Sequence, residues 1–460
     1  MRFDTETIAA VATAMSNSGI GIIRISGDDS IKIADMIFKS VKKDKKLVNV
    51  KSHTVHFGHI VEGNNVIDEV LVTVMKAPNT YTREDVVEIN CHGGVTVLKK
   101  VLNLILQNGA RPAEAGEFTK RAFLNGRIDL SQAEAVIDVI NAKNEYALSN
   151  SVSQLKGGIS VKIKEIRDSI LNQIAFIESA LDDPEHMSLD GYDEQLKTLT
   201  KNIENELYNL IKSSDNGRVI SEGIKTVILG KPNAGKSSFL NAVLGTDRAI
   251  VTDIAGTTRD TLEEHINIDG ISLNIIDTAG IRNTEDIVES IGVKRAKELA
   301  NEADLIIYVI DSSNPLDDND REIMEIIRGK KAIVLFNKSD LVSKVDRSEI
   351  SVDGNIPVIY ISAKNQTGID DFEDAVKDMF FNGELKFNDE VYITNARQKN
   401  DIRQAYESIR LVINSIEDGM PEDFFTIDLM NAYEYLGRVI GEAVEDDLVD
   451  RIFSKFCMGK

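Results

Sequence analysis

Cysteine is nearly absent. Cys91 and Cys457 are the only two in 460 residues, too few for a disulfide framework or a cysteine-rich zinc site, and fitting for a reducing, cytoplasmic setting. Also missing is any apolar run of membrane-spanning length, so no membrane association is expected. The first residues, MRFDTETIAAVATA, carry an acid where an export signal needs its basic end. Positive charge is in deficit too. The formal charge of −22 excludes a surface that grips nucleic acid by counterion release over its whole extent. Contact with RNA then needs a local basic patch or a partner. No internal repeat or low-complexity stretch occurs, and 42% hydrophobic with 28% charged residues is the mix of a globular protein. The length suits about three domains at roughly 150 residues each.

What is present centres on Gly230-Lys231-Pro232-Asn233-Ala234-Gly235-Lys236-Ser237, the phosphate-binding pattern G-x-x-x-x-G-K-[ST]. Thr226 to Leu229 before it reads as a buried strand, and Ser238 to Leu244 after it as a helix closed by Gly245. That order aims backbone N–H groups and a helix N-terminus at a phosphate. Lys236 is placed for the β- and γ-phosphates, and Ser237 for Mg²⁺.

Further segments complete a nucleotide site in order. Asp277-Thr278-Ala279-Gly280 follows a strand; its aspartate suits water-mediated Mg²⁺ contact and its Gly280 N–H a γ-phosphate. Asn337-Lys338-Ser339-Asp340 follows the strand Ala332 to Phe336, and a carboxylate there matches the N1–H and N2–H donors that guanine has and adenine lacks. Ser362-Ala363-Lys364 follows another strand and backs the base with a main-chain N–H. In this order the set specifies GTP. Two features bear on mechanism. Ile281 stands where a water-orienting glutamine sits in small regulatory GTPases, so another group must serve. In Thr252-Asp253-Ile254-Ala255-Gly256-Thr257-Thr258-Arg259, Thr258 is a second Mg²⁺ ligand beside Ser237, and Asn233 with the carbonyls of Thr252 and Ile254 suits a monovalent cation.

Around this unit the periodicity sorts the chain. Residues 1–118 alternate strands and turns as an α+β domain, with a strand over Gly19 to Gly27, a hairpin of His53–Ile60 with Val66–Met75, a strand at Asp85–Asn90 and a helix from about Val95 to Gln107. Residues 119–215 are helical, with one apolar stripe from Ile159 to Leu181 and a second from Leu196 to Leu210, ended by Ser213-Ser214-Asp215-Asn216-Gly217. Residues 216–384 form a parallel α/β G domain, and 385–460 are helical again. We expect the G domain to be inserted into one discontinuous helical domain.

The phosphate loop, Gly256-Thr257-Thr258-Arg259-Asp260, Asp277 to Arg282 and the tail Phe456-Cys457-Met458-Gly459-Lys460 together resemble the MnmE (TrmE) family. The resemblance spans the chain, including Gly21 to Gly27, Cys91-His92-Gly93-Gly94 and Arg121 to Arg127. It implies a cytoplasmic homodimer with a tetrahydrofolate-binding N-terminal domain, whose G domains hydrolyse GTP with Mg²⁺ and K⁺. With a FAD-containing partner, MnmG, in an expected heterotetramer, such a protein adds an aminomethyl or carboxymethylaminomethyl group to C5 of the wobble uridine (position 34) of certain tRNAs. The one-carbon unit comes from 5,10-methylenetetrahydrofolate or 5-formyltetrahydrofolate. Carried onto this chain, the resemblance puts GTP on Asn233, Ala234, Gly235, Lys236, Ser237, Ser238, Thr252, Asp253, Ile254, Ala255, Gly256, Thr257, Thr258, Asp277, Thr278, Ala279, Gly280, Asn337, Lys338, Ser339, Asp340, Ser362, Ala363 and Lys364. K⁺ falls on Asn233, Thr252, Ile254 and Thr257, and Mg²⁺ on Ser237 and Thr258. Hydrolysis falls to Lys236, Thr258 and Glu289, the last supporting the attacking water. Folate contacts fall on Arg24, Glu84, Arg127 and Lys460.

Cys457 reads either as a thiolate nucleophile for tRNA modification or as a small apolar residue packing the tail. Gln398 stands where the family leads us to expect histidine, and Cys91 with His92 reads as a structural strand end. The alternative function is a K⁺-dependent GTPase of ribosome assembly, which requires a basic RNA-binding module. A third is a G-domain scaffold without hydrolysis.

Overall fold

The computed structural model describes residues 6–42, 45–245, 249–251, 264–268, 271–276, 297–350, 356–381, 393–442, 446–454, 456 and 459. The chain divides into two compact units: residues 1–137, 154–193 and 414–460, and residues 138–153 with 194–413.

The first unit holds a seven-stranded sheet of β1 (Ile8–Val11), β2 (Ser18–Ser26), β3 (Phe38–Ser40), β4 (Thr54–Glu62), β5 (Asn65–Met75), β6 (Val86–Gly93) and β7 (Arg111–Pro112). Their order is β3-β4-β5-β6-β2-β1-β7, antiparallel except for β1 with β7. Alternation governs which face is inside. Val70, Val72 and Val74 of β5 are buried with Ile60 of β4, while Val55, Phe57 and Leu71 point outward and are exposed. The expected hairpin is present, with Phe57 opposite Leu71, and the helix over Val95–Gln107 has the expected bounds. Its Leu98, Val101 and Ile105 close the inner face with Ile31, Ile33 and Ile37 of the helix Ser30–Ile37.

Also in this unit, the helix Gly158–Asp182 packs on Glu422–Ile440. The predicted stripe holds from Ile159 to Ile177; Leu181, placed at its end, is exposed. Arg167 lies over the Tyr433 ring at 4.1 Å and pairs with Glu442. The tail returns to the sheet: Phe456 is buried beside Phe453 and Gly116, and Arg24 Nη1 donates to Gly459 O at 3.3 Å.

The second unit holds β8 (Ile224–Leu229), β9 (Ala249–Val251), β10 (Glu264–Ile268), β11 (Ile271–Ile275), β12 (Leu305–Asp311), β13 (Ala332–Asn337) and β14 (Val358–Tyr360). The order is β14-β13-β12-β8-β11-β10-β9, parallel from β14 to β11, with β10 and β9 added antiparallel. The central strands are unbroken apolar runs because both faces are covered. Leu305, Ile307 and Val309 enter one core with Phe239, Leu240 and Phe372, and Ile306, Tyr308 and Ile310 enter the other with Met324 and Ile327.

One element departs from expectation. The helix that begins at Tyr192 does not stop at Ser213–Gly217 but runs to Glu222. Locally, Ser, Asp, Asn and Gly favour a turn, but here the hydroxyls of Ser213 and Ser214 bond back to the carbonyls of Leu210 and Ile211. Beyond them Val219 enters the core under the second sheet, and Arg218 Nη2 donates to Asp304 Oδ1 at 2.7 Å. Tertiary contact overrides the local signal. Gly223, at φ +85, is the single residue between this helix and β8, and Asn274 Nδ2 donates to Glu222 O at 2.7 Å beside it. Among the described residues, no helix is long and apolar enough to cross a membrane.

Candidate functional site

β8 ends in the phosphate loop, and the loop opens the helix Lys236–Leu244. Two of its glycines are required. Gly230 has φ +147 and a Cβ there would strike Val309 O; Gly235 has φ +96 and a Cβ would strike the Asn337 amide. Asn233 is also left-handed, at φ +60, in a turn where Ala234 N donates to Lys231 O at 3.3 Å. Ser237 and Ser238 lie in the first helical turn beside Lys236. Lys236 Nζ folds back and donates to Gly230 O at 2.7 Å and Lys231 O at 2.9 Å. Burial lowers the pKa of this ammonium, whose bonds among the described residues go to two main-chain carbonyls.

Asn337 joins this loop to the two segments expected at the base. It is 2% exposed; its Nδ2 donates to Ala234 O at 2.9 Å and its Oδ1 accepts from Ala363 N at 3.1 Å. Behind it, Ser312 N and Oγ both donate to Asn337 O. Lys338, left-handed at φ +61, is anchored by Asp311 Oδ2 at 2.6 Å. Burial alone would raise the Asp311 carboxyl, but bonds from Lys338 and Ser313 bring its pKa below the ordinary value. Ser339 N donates to Ile361 O at 3.1 Å. Ser362 Oγ donates to Asp340 Oδ1 at 2.6 Å and lowers that carboxyl's pKa, which keeps it an acceptor. Lys364 follows in the same loop, which Asn365 N closes on Ser362 Oγ. The described part of the set, from Asn233 to Ser238, Asn337 to Asp340 and Ser362 to Lys364, therefore meets at the ends of parallel strands, as nucleotide sites of open α/β sheets do.

The remaining expectations, Thr252, Asp253, Ile254, Ala255, Gly256, Thr257, Thr258, Asp277, Thr278, Ala279, Gly280 and Glu289, lie outside the described residues, as do Cys457 and Lys460.

A second concavity lies in the first unit. A cleft of about 480 Å³ is lined by residues including Asn79, Tyr81, Arg83 and Arg127. The guanidinium of Arg127 is 4.7 Å from the centre of the Tyr81 ring and that of Arg24 is 5.4 Å from it. Arg24 is oriented by Glu88 at 2.8 and 2.9 Å. Glu84 accepts from Ser26 Oγ at 2.7 Å and from Arg121 Nη1 at 3.1 Å on each oxygen. Arg24 and Arg127 thus share one aromatic ring, with Glu84 three residues along from that tyrosine. Tyr81 was not singled out by the sequence, and Arg121 only as the start of the family-like stretch 121–127; only the fold shows that two guanidinium groups share one aromatic ring. Elsewhere in the unit, burial pushes the Cys91 thiol up to about 12, consistent with a structural residue. Its neighbour His92 is exposed and bonded through Nδ1 to Asp68 Oδ1 at 2.6 Å. Gln398 is fully buried in the helix Ala396–Glu417.

Comparison with known proteins agrees along the chain. A family described as GTP-binding protein TrmE N-terminus matches residues 7–127, and one described as MnmE helical domain matches residues 130–457. A protein of Lachnoclostridium phytofermentans named tRNA modification GTPase MnmE is 59% identical over 456 residues, covering 99% of this chain and 100% of that one. Proteins of the same name from Acetivibrio thermocellus and Clostridioides difficile are 50% and 49% identical, covering 100% of both chains in each case. Among solved structures, the G domain of the T. maritima FeoB iron transporter is 28% identical; the match covers 34% of this chain and 98% of that one, with a TM-score of 0.26.

Proposed function

Since the chain belongs to the MnmE family, we propose that it is a GTPase of tRNA modification. The observation that carries the nucleotide reading is Asn337, whose one amide ties the phosphate loop to the loop that backs the base. Phosphate and guanine recognition are thereby set at a fixed separation.

From there each residue has a task. Backbone N–H groups at the start of the helix Lys236–Leu244 receive the phosphates. Lys236 leaves its two carbonyl partners for the β- and γ-phosphates, where a full positive charge is favoured. Asp340, held ionised by Ser362, accepts N1–H and N2–H of guanine. Ser237, in the first turn beside Lys236, and Thr258 suit Mg²⁺; Asn233, in its left-handed turn, suits K⁺ with Thr252, Ile254 and Thr257. When bound, these ions offset charge on the phosphates during cleavage. Glu289 supports the attacking water in place of the glutamine that Ile281 replaces. Asp253, Ala255, Gly256, Asp277, Thr278, Ala279 and Gly280 complete the enclosure.

In the N-terminal domain, the cleft beside Tyr81 takes a reduced folate, 5,10-methylene- or 5-formyltetrahydrofolate, against Arg24, Glu84, Arg127 and Lys460. Cationic guanidinium groups on an aromatic ring suit a flat heterocycle with a carboxylate tail. The chain acts as a homodimer, a reading supported by Val55, Phe57 and Leu71 exposed together on one sheet face. With MnmG and its FAD, it modifies C5 of the wobble uridine in tRNA, with Cys457 as the candidate nucleophile. The G domain, residues 216–384, is inserted between helical parts at 119–215 and 385–460, its first residues completing the helix that runs on to Glu222.

The test is GTP hydrolysis in K⁺ against Na⁺ at matched ionic strength, for wild type and Asn233→Ala. We expect hydrolysis about tenfold or more faster in K⁺, the preference being lost in the variant. Equal rates in both salts for the wild type overturn the cation-assisted site.

A further inference from the structure

Lys231 occupies a position of the phosphate loop that its motif leaves open to any residue. Its Nζ donates to Asp320 Oδ2 at 2.6 Å and lies 3.0 Å from Asp317 Oδ2. Asp320 is 1% exposed, and its other oxygen accepts from Tyr308 Oη at 2.7 Å. Asp317 N also donates to Asp320 Oδ2, at 2.9 Å. One buried carboxylate thus takes three donors, from the loop, from β12 and from the start of the helix Asp318–Ile327.

Helix capping alone does not explain it. Asp317 caps that helix through the N–H groups of Asn319 and Asp320, and Asp320 returns the bond to Asp317 N as a capping box. That uses one of the three donors to Asp320, and an exposed acid at the same position would serve the cap and the dipole as well. An ion pair with one partner buried and the other partly exposed adds little to stability by itself. What the pair does achieve is placement. Burial pushes the Lys231 ammonium down, yet the bonds it donates to Asp320 and Asp317 outweigh that and raise its pKa, so the clamp keeps its charge. The backbone it clamps carries Lys231 O, which with Gly230 O holds Lys236 Nζ.

We propose that Asp320 is a positioning residue for nucleotide binding. Through Lys231 it fixes the entry of the phosphate loop, so that Lys236 alone moves from the carbonyls of Gly230 and Lys231 to the phosphates. The loop N–H groups stay aimed while one ammonium swings. This rests on the guanine-nucleotide reading above.

The experiment is equilibrium binding of fluorescent GDP and GTP analogues to the full chain, with GTP hydrolysis in parallel. The variants are Asp320→Asn, Lys231→Met, the two combined, and Asp318→Asn as an exposed control on the same turn. Asparagine keeps the volume and an acceptor for Tyr308. Each single variant is expected to bind about tenfold more weakly, a misplacement effect. The combined variant binds no more weakly than the poorer single one, because both changes cut the same link. The loss falls in KM, with kcat at saturating GTP within about twofold of wild type. Asp318→Asn binds as wild type. Unaltered binding by folded Asp320→Asn overturns the proposal, and so do additive losses in the combined variant. If Asp320→Asn melts below the assay temperature, Lys231→Met, a change at a partly exposed side chain, decides it in the same way. Wild-type protein that binds no guanine nucleotide overturns instead the reading beneath.

Discussion

The ammonium of Lys236 shows what a single residue contributes. Burial favours its neutral form, so in the free protein its pKa lies below the ordinary lysine value of about 10.4. A triphosphate beside it favours the charged form and raises that pKa. Between the two values GTP binding therefore takes up protons, and affinity falls as pH rises through the lower one. Calorimetry at a series of pH values below the ordinary lysine value, in buffers of different ionisation enthalpy, should show net proton uptake that grows as the pH approaches it. Lys236→Gln should abolish it; uptake persisting in that variant would assign the proton elsewhere. The identity of Lys236 was readable in the sequence because the motif names it. Its partners were not, since carbonyl groups leave no trace in residue type. Asp320 was equally hidden: it lies 89 residues from Lys231 in an unremarkable acidic stretch.

Between elements, Asn337 is the counterpart of that lysine. Replacing it with alanine strands a buried carbonyl at Ala234 and a buried N–H at Ala363, each costing about 1–3 kcal/mol. Asn337→Ala should lower the melting temperature and weaken GTP binding more than tenfold. A variant with unchanged melting and binding would mean water replaces both bonds. The sequence announced this asparagine as part of a guanine motif but not as a bridge, because its two partners come from different loops. Elements with a strong period were legible: the Val95–Gln107 helix and the β4–β5 hairpin have local causes. The end of the Tyr192–Glu222 helix was misread because its causes are remote. Nothing near Ser213–Gly217 signals that Arg218 will find Asp304 or that Val219 will enter a core. At the N-terminal cleft, Arg127 and the neighbouring Arg24 were legible by resemblance; the Tyr81 ring that both approach required the fold.

For the whole molecule, charge sets the terms on which it meets RNA. At −22 the chain as a whole repels a polyanion. Binding of tRNA by this chain alone should be weak and change by less than about tenfold between 50 and 200 mM salt, whereas six to ten phosphate contacts would cost about a thousandfold or more. Filter binding across that salt range decides it, and a steep slope would reveal a basic patch that the totals conceal. The long helix bears on mechanics instead. Tyr192–Glu222 is a rod of about 46 Å, and Gly223 alone separates it from the strand that ends in the phosphate loop. Asn274 closes that joint on one side, and Arg218 and Lys225 N, both bonded to Asp304, close it on the other. In a rod of that length, one degree at the joint corresponds to about 0.8 Å at the other end of the helix, so the single residue Gly223 sets how finely its direction is fixed.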